Sequence, residues 1–116
     1  MPLVTFEEDA DNEVAQYSQG RGCVLRSEHF EATKMLFKKG KGAQPHSHPE
    51  EQLAFVVSGR LLVTSGGETF EVAPGQATFN PSNVEHGVEA LEDTVVVSFK
   101  TPLTSTDYDA TGSLSS

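Results

Sequence analysis

A chain of 116 residues is long enough for one domain with a modest core. Asp and Glu number 17 against 8 Lys and Arg, a formal net charge of −9, and this balance argues against nucleic acid and anionic membrane as partners, because phosphate recognition needs clustered cations. The one cysteine, Cys23, rules out a disulfide framework within the chain, and no run approaches the ~18 apolar residues of a membrane helix.

In chain order, the first twenty residues are acidic around Glu7 to Glu13. They carry no basic segment followed by a long apolar one, so they do not read as a secretory signal, and the expected location is cytoplasmic. Val4 and Phe6 suggest a short edge strand or a segment that packs on a partner subunit, and Glu13 to Gln19 one helical turn. Cys23 to Arg26 and Phe30 to Lys38 read as strands, followed by a loop at Lys39-Gly-Lys-Gly-Ala. Gln52 to Ser58 is the most apolar strand. Ser58-Gly59 turns the chain into a returning strand, Arg60 to Ser65. Gly66-Gly67 is a hairpin signal that demands positive φ. Glu68 to Val72 follows, then a turn at Ala73-Pro-Gly75, a short strand at Gln76 to Phe79, and a second turn at Asn80-Pro-Ser-Asn83. Glu85 to Leu91 and Thr94 to Lys100 complete the set, the last with Val95, Val97 and Phe99 on one face. Many short runs at regular spacing, without a long helix, predict an all-β fold, a sandwich or barrel. The Ser-, Thr- and Asp-rich end buries little by itself. The expected organisation is an N-terminal arm (1–22), a barrel (23–101) and a polar tail (102–116).

Two of the four histidines form His46-x-His48. In an extended strand residues i and i+2 share a face. His46, His48, Gln52, Ala54 and Val56 then lie on one side, with Leu53, Phe55 and Val57 on the other. His86, from a distant strand, shares a face with Val88 and Ala90. Two imidazoles, a carboxamide oxygen and a third imidazole make a divalent-metal site. His29, in Ser27-Glu-His29-Phe, reads as an ordinary surface or half-buried histidine.

These spacings resemble the cupin superfamily. Its first motif, G-x5-H-x-H-x3,4-E-x6-G, is met by Gly40, His46, His48, Gln52 in the place of Glu, and Gly59. Its second, G-x5-P-x-G-x2-H-x3-N, is met by Gly75, Pro81 and His86, with Asn83 for a glycine and Ala90 for the final Asn. The resemblance covers about residues 24–100 and implies a single-barrel protein, an all-β antiparallel double-sheet β-barrel or jelly roll. It also implies one divalent ion (Mn, Fe, Co, Ni or Zn) held by His46, His48, Gln52 and His86. A carboxamide in the carboxylate's place leaves the ion its full charge, which favours a small anionic substrate.

The stretches His46 to Gly59 and Pro81 to Asp93 are similar to the pectin-degradation type of cupin, which ketonises unsaturated uronates. A second Gln-bearing type, the bacilysin-pathway isomerase, is resembled loosely by the stretch Lys100 to Tyr108. The resemblance thus implies isomerisation or tautomerisation of a small oxo- or hydroxy-acid, with an acid–base group at the barrel mouth drawn from Arg60, Lys100 or Tyr108. Its alternatives are an Fe(II) or Ni(II) dioxygenase and a non-enzymatic ligand-binding barrel. It further implies a homodimer built through sheet edges and N-terminal strands.

Overall fold

The computed structural model describes residues 3–5 and 17–101. Nine strands occur among them: β1 Arg21–Arg26, β2 Glu31–Phe37, β3 Gly42–His46, β4 Gln52–Ser58, β5 Leu61–Ser65, β6 Glu68–Val72, β7 Ala77–Asn80, β8 His86–Ala90 and β9 Thr94–Lys100. All pairings are antiparallel. They form a five-stranded sheet, β1-β2-β9-β4-β7, facing a four-stranded one, β3-β8-β5-β6. No described helix is long and apolar enough to cross a membrane.

Alternation explains which residues the sheets enclose. On the inner face of the five-stranded sheet the registers align Met35, Val96 and Val56 in one row. Thr33, Ser98, Ala54 and Thr78 form the next, and Glu31, Lys100, Gln52 and Asn80 the last. The opposing sheet is graded the same way. Leu61, Ala90 and Val72 are aligned at one end and Ser65, His86 and His46 at the other, with Val63 and Val88 between. The apolar core (Met35, Phe37, Ala54, Val56, Leu61, Val63, Val72, Ala90 and Val96) therefore fills one end of the barrel, and polar side chains fill the other.

The apolar sets Leu53, Phe55, Val57 and Val95, Val97, Phe99 do share faces, but these are outer faces. The inner face of β9 is Thr94, Val96, Ser98 and Lys100. Thr94, Val96 and Ser98 are each 2% exposed or less, whereas Phe55 and Phe99 are 39% and 41% exposed.

The turns follow their residue chemistry. Gly66 and Gly67 both have positive φ, as a tight hairpin requires. Gly59, also at positive φ, sits against the backbone of Asp93 and Thr94, where a Cβ would collide with the Asp93 carbonyl. Of the N-terminal expectations, residues 3–5 include Val4 and form no strand. Phe6 lies outside the described residues, as do Glu13 to Gln16 of the helical turn and the segment 102–116. Ser18 bridges Ala43 in β-fashion where a helical turn was expected.

Candidate metal centre

The two halves of the first histidine motif lie on different sheets. The sequence reading placed His46, His48 and Gln52 on one strand; instead His46 ends β3 and Gln52 begins β4, and the chain crosses between the sheets from Ser47 to Glu51. Pro49 lies within this crossing and has no N–H to continue a ladder. The second histidine is held from outside the crossing. The Asn83 N–H donates to the His48 carbonyl at 2.8 Å. Asn83 has φ 62°, a left-handed conformation that Asn tolerates better than most residues. This explains how Asn stands where the resemblance puts a glycine.

His46, His48 and His86 converge. One ligand nitrogen from each lies within 4.8 Å of the others, so the cluster could hold a metal ion. His46 Nδ1 lies 2.6 Å from the Gln44 carbonyl, His48 Nδ1 2.9 Å from that of Glu50, and His86 Nδ1 2.9 Å from that of Val84. A carbonyl only accepts, so each Nδ1 carries the proton and each Nε2 keeps its lone pair. His48 Nε2 and His86 Nε2 are buried and have no hydrogen-bond partner among the described residues. An unpartnered buried nitrogen is costly in an apolar setting and natural in a ligand.

Burial, only partly offset by the bond to Val84, holds His86 down to about 4 from its ordinary 6.5; the positive fields of His46, His48 and Lys100 push the same way. Burial also lowers His46, against the bond to Gln44 and with the help of His48 and Lys100. Both rings are thus favoured in the neutral form that a metal needs.

Gln52 lines the barrel cavity together with His46 and His86, and Asn80 Nδ2 donates to its Oε1 at 3.4 Å. Lys100 is here too, on the neighbouring strand. Its ammonium donates to Tyr17 Oη at 3.0 Å and lies 3.8 Å from Glu31 Oε2. The other oxygen of Glu31 accepts from Arg26 Nε at 2.6 Å. The Tyr17 ring packs on His46 with centroids 3.7 Å apart. Arg60 is elsewhere: it precedes Leu61, at the end of β5 opposite Ser65, the register partner of His86, and pairs with Glu71 at 3.0 Å. Tyr108 lies outside the described residues. His29 is exposed in the turn after β1.

Tyr17, Glu31, Thr78 and Asn80 line the cavity as well, and the sequence reading passed over all four. Inward parity on β7 would have flagged Thr78 and Asn80. Tyr17, in an acidic arm with no periodicity, gave no signal.

Two facing antiparallel sheets with three histidines gathered at one end of the barrel define a cupin. The family model described as Cupin domain matches residues 33–100, and the chain belongs to that family. It is 33% identical over 88 residues to the H2HPP isomerase of Bacillus subtilis, covering 75% of this chain and 35% of that one, so it spans about a third of that relative's length. It is 37% identical over 80 residues to an uncharacterized protein of Streptomyces coelicolor, covering 67% of this chain and 76% of that one. Among solved structures, KdgF from Halomonas sp. superposes with a TM-score of 0.69 at 27% identity, covering 83% of this chain and 88% of that one. An RmlC-like cupin from Shewanella frigidimarina superposes with a TM-score of 0.70 at 22% identity, covering 92% and 96%, a likeness of fold.

Proposed function

We propose that His46, His48 and His86, through Nε2, and Gln52, through Oε1, hold one divalent ion, and that the protein isomerises or tautomerises a small oxo- or hydroxy-acid anion. The observation that carries the metal reading is the common tautomer. Three separate backbone carbonyls fix three Nδ1–H groups, and the three histidines each bring a ring nitrogen within 4.8 Å of the others'. Nitrogen and oxygen donors of this kind suit Mn, Fe, Co, Ni or Zn. When bound, the ion supplies an uncancelled positive centre for a substrate oxygen, since none of its four ligands is charged.

The chain's own groups do the rest. Lys100 is the cation that takes the carboxylate, because the partner facing it, Glu31, is already bonded to Arg26. Tyr17 Oη accepts from Lys100 and keeps its own proton to donate to a substrate atom. The apolar rows below keep water from the closed end. The isomerase named among the relatives supports this reaction class, as does the similarity of His46 to Gly59 and Pro81 to Asp93 to uronate-ketonising cupins.

Metal analysis after reconstitution tests the site. Wild type is expected to bind one ion per chain and His48→Ala almost none; a wild type that takes up no ion ends the reading. Loss of ultraviolet absorbance from a 4,5-unsaturated uronate, faster with the metal-loaded protein, tests the reaction. Oxygen consumption without isomerisation would instead favour the dioxygenase.

We also propose a homodimer, formed through the outer face of the five-stranded sheet. That face aligns Leu25, Ala32, Phe99, Leu53 and Phe79 in one row and Cys23, Lys34, Val97, Phe55 and Ala77 in the next. Leu53, Phe55, Val57, Phe79 and Phe99 are all exposed large hydrophobics. Among the described strand residues no Asp or Glu points outward from it. A second copy is the occupant that fits: two such faces meet without bringing acidic groups together, and the contact is self-complementary about a two-fold axis.

A further inference from the structure

Two polar atoms inside the barrel have no role in the proposed metal site and no partner among the described residues. Thr78 and Asn80 alternate along β7, so both side chains point inward. Each is only 3% exposed. Thr78 Oγ1 and Asn80 Oδ1 are buried and make no hydrogen bond among the described residues. The other end of the Asn80 amide is already used, since Nδ2 donates to Gln52 Oε1. What Asn80 leaves open is therefore an acceptor, and Thr78 beside it can accept or donate. Buried polar atoms left in this way weaken the fold unless something else pairs with them.

We propose that Thr78 Oγ1 and Asn80 Oδ1 form a hydroxyl-reading subsite, so that the ligand is a carboxylate that also bears a hydroxyl group some carbons away. The inference rests on the reading that an anion occupies this barrel with its carboxylate on Lys100. An acceptor oxygen needs a donor from the ligand. A ligand ammonium is disfavoured in a cavity lined by Lys100 and holding a divalent ion, and a second carboxylate would set oxygen against oxygen at Asn80. A hydroxyl satisfies both atoms, donating to Asn80 and pairing with Thr78. Spacing adds a length. Lys100 on β9 and Asn80 on β7 lie two strands apart in the same row, about 10 Å between backbones. Allowing for the reach of both side chains, a five- or six-carbon hydroxy acid bridges them better than a two- or three-carbon one.

Calorimetric titration of zinc-loaded protein with D-gluconate, hexanoate and adipate tests this. These probes share a six-carbon chain and differ in hydroxyls and carboxylates. Wild type is expected to bind gluconate about tenfold or more tightly than either of the others, because a site built to bond a hydroxyl rejects the analogue lacking it. Thr78→Val, which keeps the shape of the side chain, is expected to remove most of that preference while zinc content and melting temperature stay near wild type. Thr78→Ser is expected to restore it, which separates a lost hydroxyl from a damaged fold. Equal binding of gluconate and hexanoate by wild type, or a Thr78→Val protein that keeps the preference, overturns the subsite and leaves the anion site standing. Binding of none of the three, by protein that holds its zinc, overturns the anion reading and the subsite with it.

Discussion

In the proposed metal centre Gln52 decides the charge. With three neutral histidines as ligands, the fourth donor would set how much positive charge the site presents to a substrate. Gln52→Glu inserts a carboxylate at nearly the same volume, next to the amide nitrogen of Asn80 that now donates to Gln52 Oε1. It is expected to tighten zinc binding by roughly tenfold, the scale on which changes around a metal act, and to weaken gluconate binding by the charge it cancels. Competition against a colorimetric chelator measures the first and calorimetry the second. Unchanged affinity for both would place Gln52 off the metal. At this scale the convergence of His46, His48 and His86 and the inward position of Gln52 were legible in the spacing. Asn80 and Tyr17 were not, because their significance comes from atoms across the barrel. A hydrogen bond to an amide 28 residues earlier and a ring stacked on His46 leave no local pattern.

At the scale of elements, strand alternation worked and strand identity did not. His86, Val88 and Ala90 share the inner face of β8, as period two requires. His46 and Gln52 also both face inward, but from opposite sheets, since the crossing between them replaces the single strand that parity assumed. Parity could not tell inside from outside either. On β9 the residues lining the barrel are Thr94, Val96, Ser98 and Lys100, so the more apolar set points outward. Sequence hydrophobicity finds the core face only when the other face meets water and the interior is dry; here the interior holds the site. The crossing depends on Asn83. Its φ of 62° would strain a β-branched residue by about 1–2 kcal/mol. Asn83→Val is expected to lose about that much in urea denaturation and to weaken zinc binding, because its N–H anchors the His48 carbonyl. Asn83→Gly, free to adopt positive φ, is expected to stay within about 1 kcal/mol of wild type. If the two substitutions were equally disruptive, the side chain of Asn83 and not its backbone angle would be what matters.

The whole molecule is graded twice, along the barrel and across the five-stranded wall. Along the barrel, apolar rows at one end support a polar pocket at the other. Across the wall, the same strands β4, β7 and β9 carry Gln52, Asn80 and Lys100 inward and Leu53, Phe79 and Phe99 outward in one aligned row. A partner on the outer face would therefore press on the backbone that positions the site. The dimer prediction follows from that arrangement. Phe55 and Phe99 meet edge to face with centroids 6.2 Å apart, and both are exposed. Phe55→Glu puts a buried charge opposite its symmetry mate if two copies pair there, and the desolvation of that charge opposes association. Wild type is expected to sediment at twice the chain mass at micromolar concentration, and Phe55→Glu at the mass of one chain. Zinc uptake by the variant then reports whether the wall holds its geometry without a partner; a fall of severalfold would show the two faces to be coupled. A wild type that sediments as a single chain, with Phe55→Glu indistinguishable from it, would leave the apolar face without this occupant.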